Sequence, residues 1–119
     1  CVVGCGGDRD SGKRSMMGAA AADNADHSWF TADNPRSEDP VQIIADMTAG
    51  VSAARRDRIV CEPDRRSAIY AAVAMAGAGD TVLIAGKGHE SEQDIAGVKH
   101  TFDDRLVALD ALSRTAGNT

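Results

Sequence analysis

Residues 81–90 read Thr-Val-Leu-Ile-Ala-Gly-Lys-Gly-His-Glu. The first five are a continuous apolar run closed by glycine, the pattern of a strand covered on both faces of a sheet. Before this strand, Asp64–Ala76 reads as a helix. Asp64 is a good N-cap, Ile69, Val73 and Ala76 mark an inward side, and Gly77 and Gly79 close it. After it, Asp94-Ile95 and Val98-Lys99-His100 flank Ala96-Gly97 as the arms of a hairpin, and Asp103–Arg114 predicts a last helix.

The same alternation runs back to the first residue. Cys1–Cys5 is a strand, and Lys13–Ala25, rich in Ala and Met, is a helix. His27–Ala32 is a short strand with Trp29 and Phe30. Pro35 biases Asn34 away from helical geometry, so Asp33–Arg36 is an ordered loop. A helix over Asp39–Ala53 follows, with Pro40 in its first turn and Ile43, Ile44, Met47 and Val51 on one face. Arg58–Cys61 is a third strand. This order implies an α/β fold: a Rossmann-like, mostly parallel sheet of about six strands, with an antiparallel edge hairpin and helices on both faces.

The 119 residues suit one domain, expected over residues 1–114, with a disordered tail at 115–119. Aromatic content is only 3%, so Ala, Val, Ile and Leu must fill the core, which favours helices packed closely on a sheet. The net charge of −5 argues against a nucleic-acid binder. The basic cluster Arg55, Arg56 and Arg58 reads as solvated surface. Cys1, Cys5 and Cys61 lack metal-ligand spacing and read as buried, reduced thiols of a cytoplasmic protein. No stretch is a membrane span or signal peptide, and the start inside a strand suggests a piece of something longer.

Ligands of open α/β sheets bind beyond the carboxyl ends of the strands. Three such ends carry unusual loops. Gly7–Arg14 (GGDRDSGKR from Gly6) matches the first seven positions of G-x-x-x-x-G-K-[ST] and puts Arg14 at the eighth. Arg14 has no hydroxyl for Mg²⁺, and Asp8 and Asp10 are negative where phosphates would lie. An ATP loop, an anion-binding loop offering Arg9, Lys13 or Arg14, and a solvated turn all remain open. Asp33-Asn34-Pro35-Arg36 offers an amide and a guanidinium able to grip a carboxylate, or else an Asx-turn with Arg36 in solvent. Gly86-Lys87-Gly88-His89-Glu90 offers accessible carbonyls and a carboxylate for an ammonium group, while His89 has no accompanying nucleophile. Arginines for carboxylates and Glu90 with the Gly86 carbonyl for an amine suit a zwitterion: an amino acid, even one with two zwitterionic ends.

GCGGDRDSGKR (4–14), DNPRSEDP (33–40) and AGKGHE (85–90), in this order and spacing, closely resemble the C-terminal domain of Mur ligases of the diaminopimelate-adding (MurE) type. The resemblance covers Val3 to about Leu112. It implies a fragment of a three-domain cytoplasmic enzyme that uses ATP and Mg²⁺ to add meso-diaminopimelate to UDP-MurNAc-L-Ala-D-Glu through an acyl phosphate, in peptidoglycan synthesis. It implies that Arg9, Asp33, Asn34, Pro35, Arg36, Gly86 and Glu90 contact diaminopimelate. Lysine-adding relatives replace the arginine of the DNPR motif, so the substrate rests on Arg36. Lys13 and Arg14 are candidates to approach the ATP phosphates on domain closure. The resemblance places ATP, Mg²⁺, the UDP-sugar and the catalytic residues in other domains, so this segment alone is expected to be inactive, with no metal, nucleic-acid or membrane partner of its own. Two competing readings are a stand-alone flavodoxin-like nucleotide module, which would retain nucleotide, and a non-catalytic interaction domain, which would show an apolar patch.

Overall fold

A computed structural model describes residues 1–87 and 89–116. Four short parallel strands form one sheet: β1 (Val2–Val3), β2 (Ser28–Phe30), β3 (Ile59–Cys61) and β4 (Ile84–Ala85), in the order β3-β2-β1-β4. The register pairs Val2 with Trp29 and Ile84, and Phe30 with Cys61. The helices are α1 (Arg14–Asn24), α2 (Pro40–Thr48), α3 (Arg65–Met75) and α4 (Asp104–Ala116).

Alternation along the strands divides the core between the two faces of the sheet. Val2 and Trp29 pack with Ala68, Ile69, Ala72 and Val73 of α3 and Val107 and Ala111 of α4. Val3 and Phe30 pack with Ala22 of α1 and Ile43, Ile44 and Met47 of α2. Helices thus cover both faces, as the sequence implied. Small residues let them close in: a Cβ on Gly18 would stand 2.0 Å from the Met47 carbonyl oxygen, and one on Gly50 1.9 Å from that of Ser15. Asp39 and Asp64 cap α2 and α3, and Pro40 opens α2.

Among the described residues the parallel sheet has four strands rather than about six, and the expected edge hairpin is a second sheet apart from it. β5 (Glu92–Ile95) and β6 (Val98–Thr101) make a separate antiparallel hairpin. Its turn residues Ala96 and Gly97 have φ of 55° and 82°, the left-handed pair that a two-residue hairpin turn needs.

The apolar run at 81–85 is also not a doubly covered strand. Only Ile84 and Ala85 enter the ladder, at its edge, and Leu83 is 60% exposed. Helix α2 stops at Thr48 instead of Ala53, because the chain turns there to bring Gly50 against Ser15; Ala53–Arg58 is a 3-10 segment. At the other end, α4 runs through Ala116, so Thr115 and Ala116 are helical rather than tail, and 117–119 lie outside the described residues. Of the thiols, Cys5 alone is buried; Cys1 is half-buried and Cys61 exposed, because β3 is an edge strand.

Candidate functional site: three loops at the carboxyl edge of the sheet

The parallel register carries the ends of β1, β2 and β4 to one edge of the sheet. Three loops leave from there and pack on one another. The glycines of the first loop make this possible: Gly7 donates its N–H to the Asn34 carbonyl at 2.7 Å, and a Cβ on Gly7 would stand 1.8 Å from the Pro35 oxygen.

That packing decides what the first loop can do. The Asp8 N–H donates to Glu38 at 2.6 Å and the Gly12 N–H to Asp10 at 2.9 Å. With the Gly7 N–H also committed, these amides have no donors to offer a phosphate. Arg14 is 2% exposed and donates to Glu38, Asp46 and the Gly6 carbonyl. Its hydrogen bonds to Glu38 hold its pKa above the ordinary arginine value and push that of Glu38 down. The expected approach of Arg14 to nucleotide phosphates does not fit this burial; Arg14 fastens the loop to α2. Lys13 is exposed.

The second loop carries Asp33, Asn34, Pro35 and Arg36. Arg36 has φ +54°, an uncommon left-handed conformation for a bulky side chain. Its Nη1 donates to the Gly7 carbonyl at 2.8 Å, which turns the guanidinium back over the first loop. Gly6 leaves room there: a Cβ at Gly6 would lie 3.0 Å from Arg36 Nη1 and 3.4 Å from Arg9 Cγ. Arg9, itself exposed, and Arg36 therefore flank one glycine. Pro35 is buried and Asp33 and Asn34 half-buried.

The third loop closes on the second. Gly86 has φ +111°, which disfavours any side chain, and its Cβ position lies 3.6 Å from Asp33 Oδ2. Asn34 Nδ2 donates to Glu90 Oε2 at 3.2 Å. His89 is exposed, and Gly88 lies outside the described residues. A cleft of about 400 Å³ opens here, with Asn34, Arg36, Glu90, Glu92, Asp94 and Lys99 in its lining. Both signs of charge face it. A larger hollow of about 830 Å³ lies at the opposite, amino ends of the strands, lined by groups such as Met17, Trp29, Met75 and Leu83 and by no Arg or Lys.

One residue passed over in the sequence holds the site together. Lys87 is 2% exposed, and its Nζ donates to the Glu92 carbonyl at 2.7 Å and Asn34 Oδ1 at 3.1 Å, and lies 3.4 Å from Asp33 Oδ1. A lysine between two glycines in a polar loop gives a faint signal of burial; two of its partners, Asp33 and Asn34, come from distant sequence.

Among the described residues no group of three His, Cys, Asp or Glu side chains is able to hold a metal ion such as Mg²⁺, and the Gly7, Asp8 and Gly12 amides are already taken by the protein. Nor is any described helix long and apolar enough to cross a membrane.

The family model described as "Mur ligase, glutamate ligase domain" matches residues 1–88. The chain belongs to the Mur ligase family. Its relatives include the UDP-N-acetylmuramoyl-L-alanyl-D-glutamate–2,6-diaminopimelate ligases of Chromobacterium violaceum, 60% identical over 95% of this chain, and Streptomyces coelicolor, 56% identical over 98%. This Mur ligase chain spans only 22% and 24% of those two proteins. A solved structure of a ligase of the same name superimposes with a TM-score of 0.89 at 49% identity, over 97% of this chain and 23% of that one.

Proposed function

We propose that this chain is the amino-acid-binding domain of a cytoplasmic ligase that adds meso-diaminopimelate to UDP-MurNAc-L-Ala-D-Glu in peptidoglycan synthesis. ATP, Mg²⁺ and the UDP-sugar are bound by the rest of that enzyme, with Lys13 the residue of this chain exposed to approach the nucleotide. The observation that carries the reading is the convergence of Arg9 and Arg36 over Gly6, with Asn34 linking that side to Glu90. The names of the relatives support the same assignment.

Each group has a task in this reading. Arg36 and Arg9 take carboxylates of the amino acid, Arg36 with the planar fork that matches a carboxylate. Glu90, with the Gly86 carbonyl, takes an ammonium group. Asn34 and Asp33 fix the spacing between the two charges, and Pro35 stiffens the loop. Diaminopimelate has a carboxylate at both ends and satisfies the set. Lysine has none at its far end, which leaves a desolvated guanidinium unpaired.

The test is ligation of meso-diaminopimelate and of L-lysine by the full-length enzyme. Diaminopimelate is expected to be strongly preferred. Arg36→Ala should raise its KM by roughly 10- to 100-fold, the worth of a charged hydrogen bond, while lysine turnover stays as poor as before. A wild-type enzyme that takes lysine as well as diaminopimelate would overturn the reading.

A further inference from the structure

The family model ends at residue 88, yet the diaminopimelate ligases align over 95% and 98% of the chain. The β5–β6 hairpin lies wholly in the part beyond that model. It adds nothing to the parallel sheet. What it does touch is the loop from Asp33 to Arg36.

The contacts follow one another along the hairpin. Gln93 Nε2 donates to the Asp33 carbonyl at 2.9 Å. The Asp94 N–H donates to Asn34 Oδ1 at 2.9 Å. The Arg36 N–H donates to the Asp94 carbonyl at 3.0 Å, and the Ala96 N–H to the Arg36 carbonyl at 2.7 Å. Arg36 is thus bracketed on both sides of its Cα by the hairpin, as a single bridge opposite Ile95. It is also the residue of that loop with a left-handed backbone. Such a conformation persists only where the surroundings over-determine it, and here the hairpin supplies the restraint.

We propose that the β5–β6 hairpin is the specificity-positioning element of this domain. Its backbone holds Arg36 in the left-handed conformation that turns the guanidinium over Gly7, and so aims it at the far carboxylate of the amino-acid substrate. The inference rests on the diaminopimelate reading above. Ala96 is its clearest lever, because its N–H reaches Arg36 while its side chain takes no part in the cleft. Ala96→Pro removes that N–H and cannot adopt φ +55°; Ala96→Gly keeps both.

The experiment compares the full-length enzyme with Ala96→Pro and Ala96→Gly, measuring KM and kcat for meso-diaminopimelate and L-lysine together with the melting temperature. Ala96→Pro should raise the diaminopimelate KM by about tenfold or more with little change in kcat, and leave lysine turnover unchanged. Ala96→Gly should match the wild type. A folded Ala96→Pro enzyme with unaltered KM overturns the proposal. If that variant does not fold, Gln93→Met decides: it removes one donor to the Asp33 carbonyl and should raise KM by roughly threefold, and an unaltered KM again overturns the proposal. A wild-type enzyme without preference for diaminopimelate overturns the substrate reading instead, so the two failures are distinct.

Discussion

Arg65 and Asp104 form a two-pronged ion pair, Nε to Oδ1 at 2.8 Å and Nη2 to Oδ2 at 2.6 Å, with side chains 0% and 7% exposed. The same guanidinium donates to the carbonyls of Ala32 at 3.0 Å and Ala85 at 3.1 Å. Ala32 precedes Asp33, and Ala85 precedes Gly86. The pair therefore ties the roots of the second and third loops to the starts of α3 and α4. Removing one partner strands a buried charge, so Arg65→Met or Asp104→Leu should each cost about 3–5 kcal/mol in urea unfolding. The double variant should cost clearly less than the sum of the two. Additive losses would show that the ion pair carries no coupling.

Lys87 acts one layer closer to the cleft. Lys87→Met keeps most of the apolar stem and removes the ammonium group, leaving the Glu92 carbonyl without that donor and the Asp33 carboxylate without its neighbouring positive charge. The expected cost is about 3 kcal/mol. Asn34 then loses one of the two donors that orient its amide oxygen, the other being the Asp94 N–H. Hydrogen exchange at the Asp94 amide should therefore accelerate more than exchange in α3. Uniform acceleration would mean that Lys87 stabilises the fold without a special hold on the loop.

The sequence carried the order of elements, the cap Asp64, Pro40 in the first turn of α2, and the Ala96-Gly97 turn, because each is decided by neighbours within a few residues. It misled where the deciding partner is remote. An apolar run such as Thr81–Ala85 reads alike in a central or an edge strand, and only the sheet order reveals that Leu83 faces solvent. Equally, nothing local shows that the hairpin pairs with Arg36 rather than with the sheet. The three polar loops at strand ends were legible, and the structure packs them on one another. What stayed hidden were their supports: Lys87, buried through contacts to residues 33 and 34, and Arg14, drawn away from any phosphate by Glu38 and Asp46.

The thiols should separate by reactivity. Burial pushes the Cys5 thiol above its ordinary pKa, against a smaller opposing effect of Arg14, and keeps it 6% exposed. Cys61 stands exposed on edge strand β3. Under limiting iodoacetamide in native buffer, Cys61 should be alkylated first and Cys5 last, with Cys5 reacting readily only after denaturation. Early modification of Cys5 would contradict its place behind the sheet.

Acid should loosen the first loop before it disturbs the core. Arg14 hydrogen bonds hold Glu38 below its ordinary pKa, helped by the Asp8 N–H, and lower Asp46 as well, helped by Gln42. Asp8 is lowered mainly by the Ser37 hydroxyl and N–H. In each case the folded state favours the charged form, so the stabilisation is complete above the unfolded-state value, near pH ~4, and is lost as pH falls through the lower folded values. The melting temperature should hold steady from about pH 7 to about pH 5 and drop below about pH 4. Glu38→Gln should flatten part of that drop. Only part is expected, because Asp103 beside Arg105 and Asp110 beside Tyr70 and Arg114 are shifted in the same direction. Asp8 is exposed and the other four are half-buried, so added salt should shrink the effect only in part. A Glu38→Gln profile parallel to the wild type would remove Glu38 from the acid response and leave Arg14 anchored by Asp46 alone.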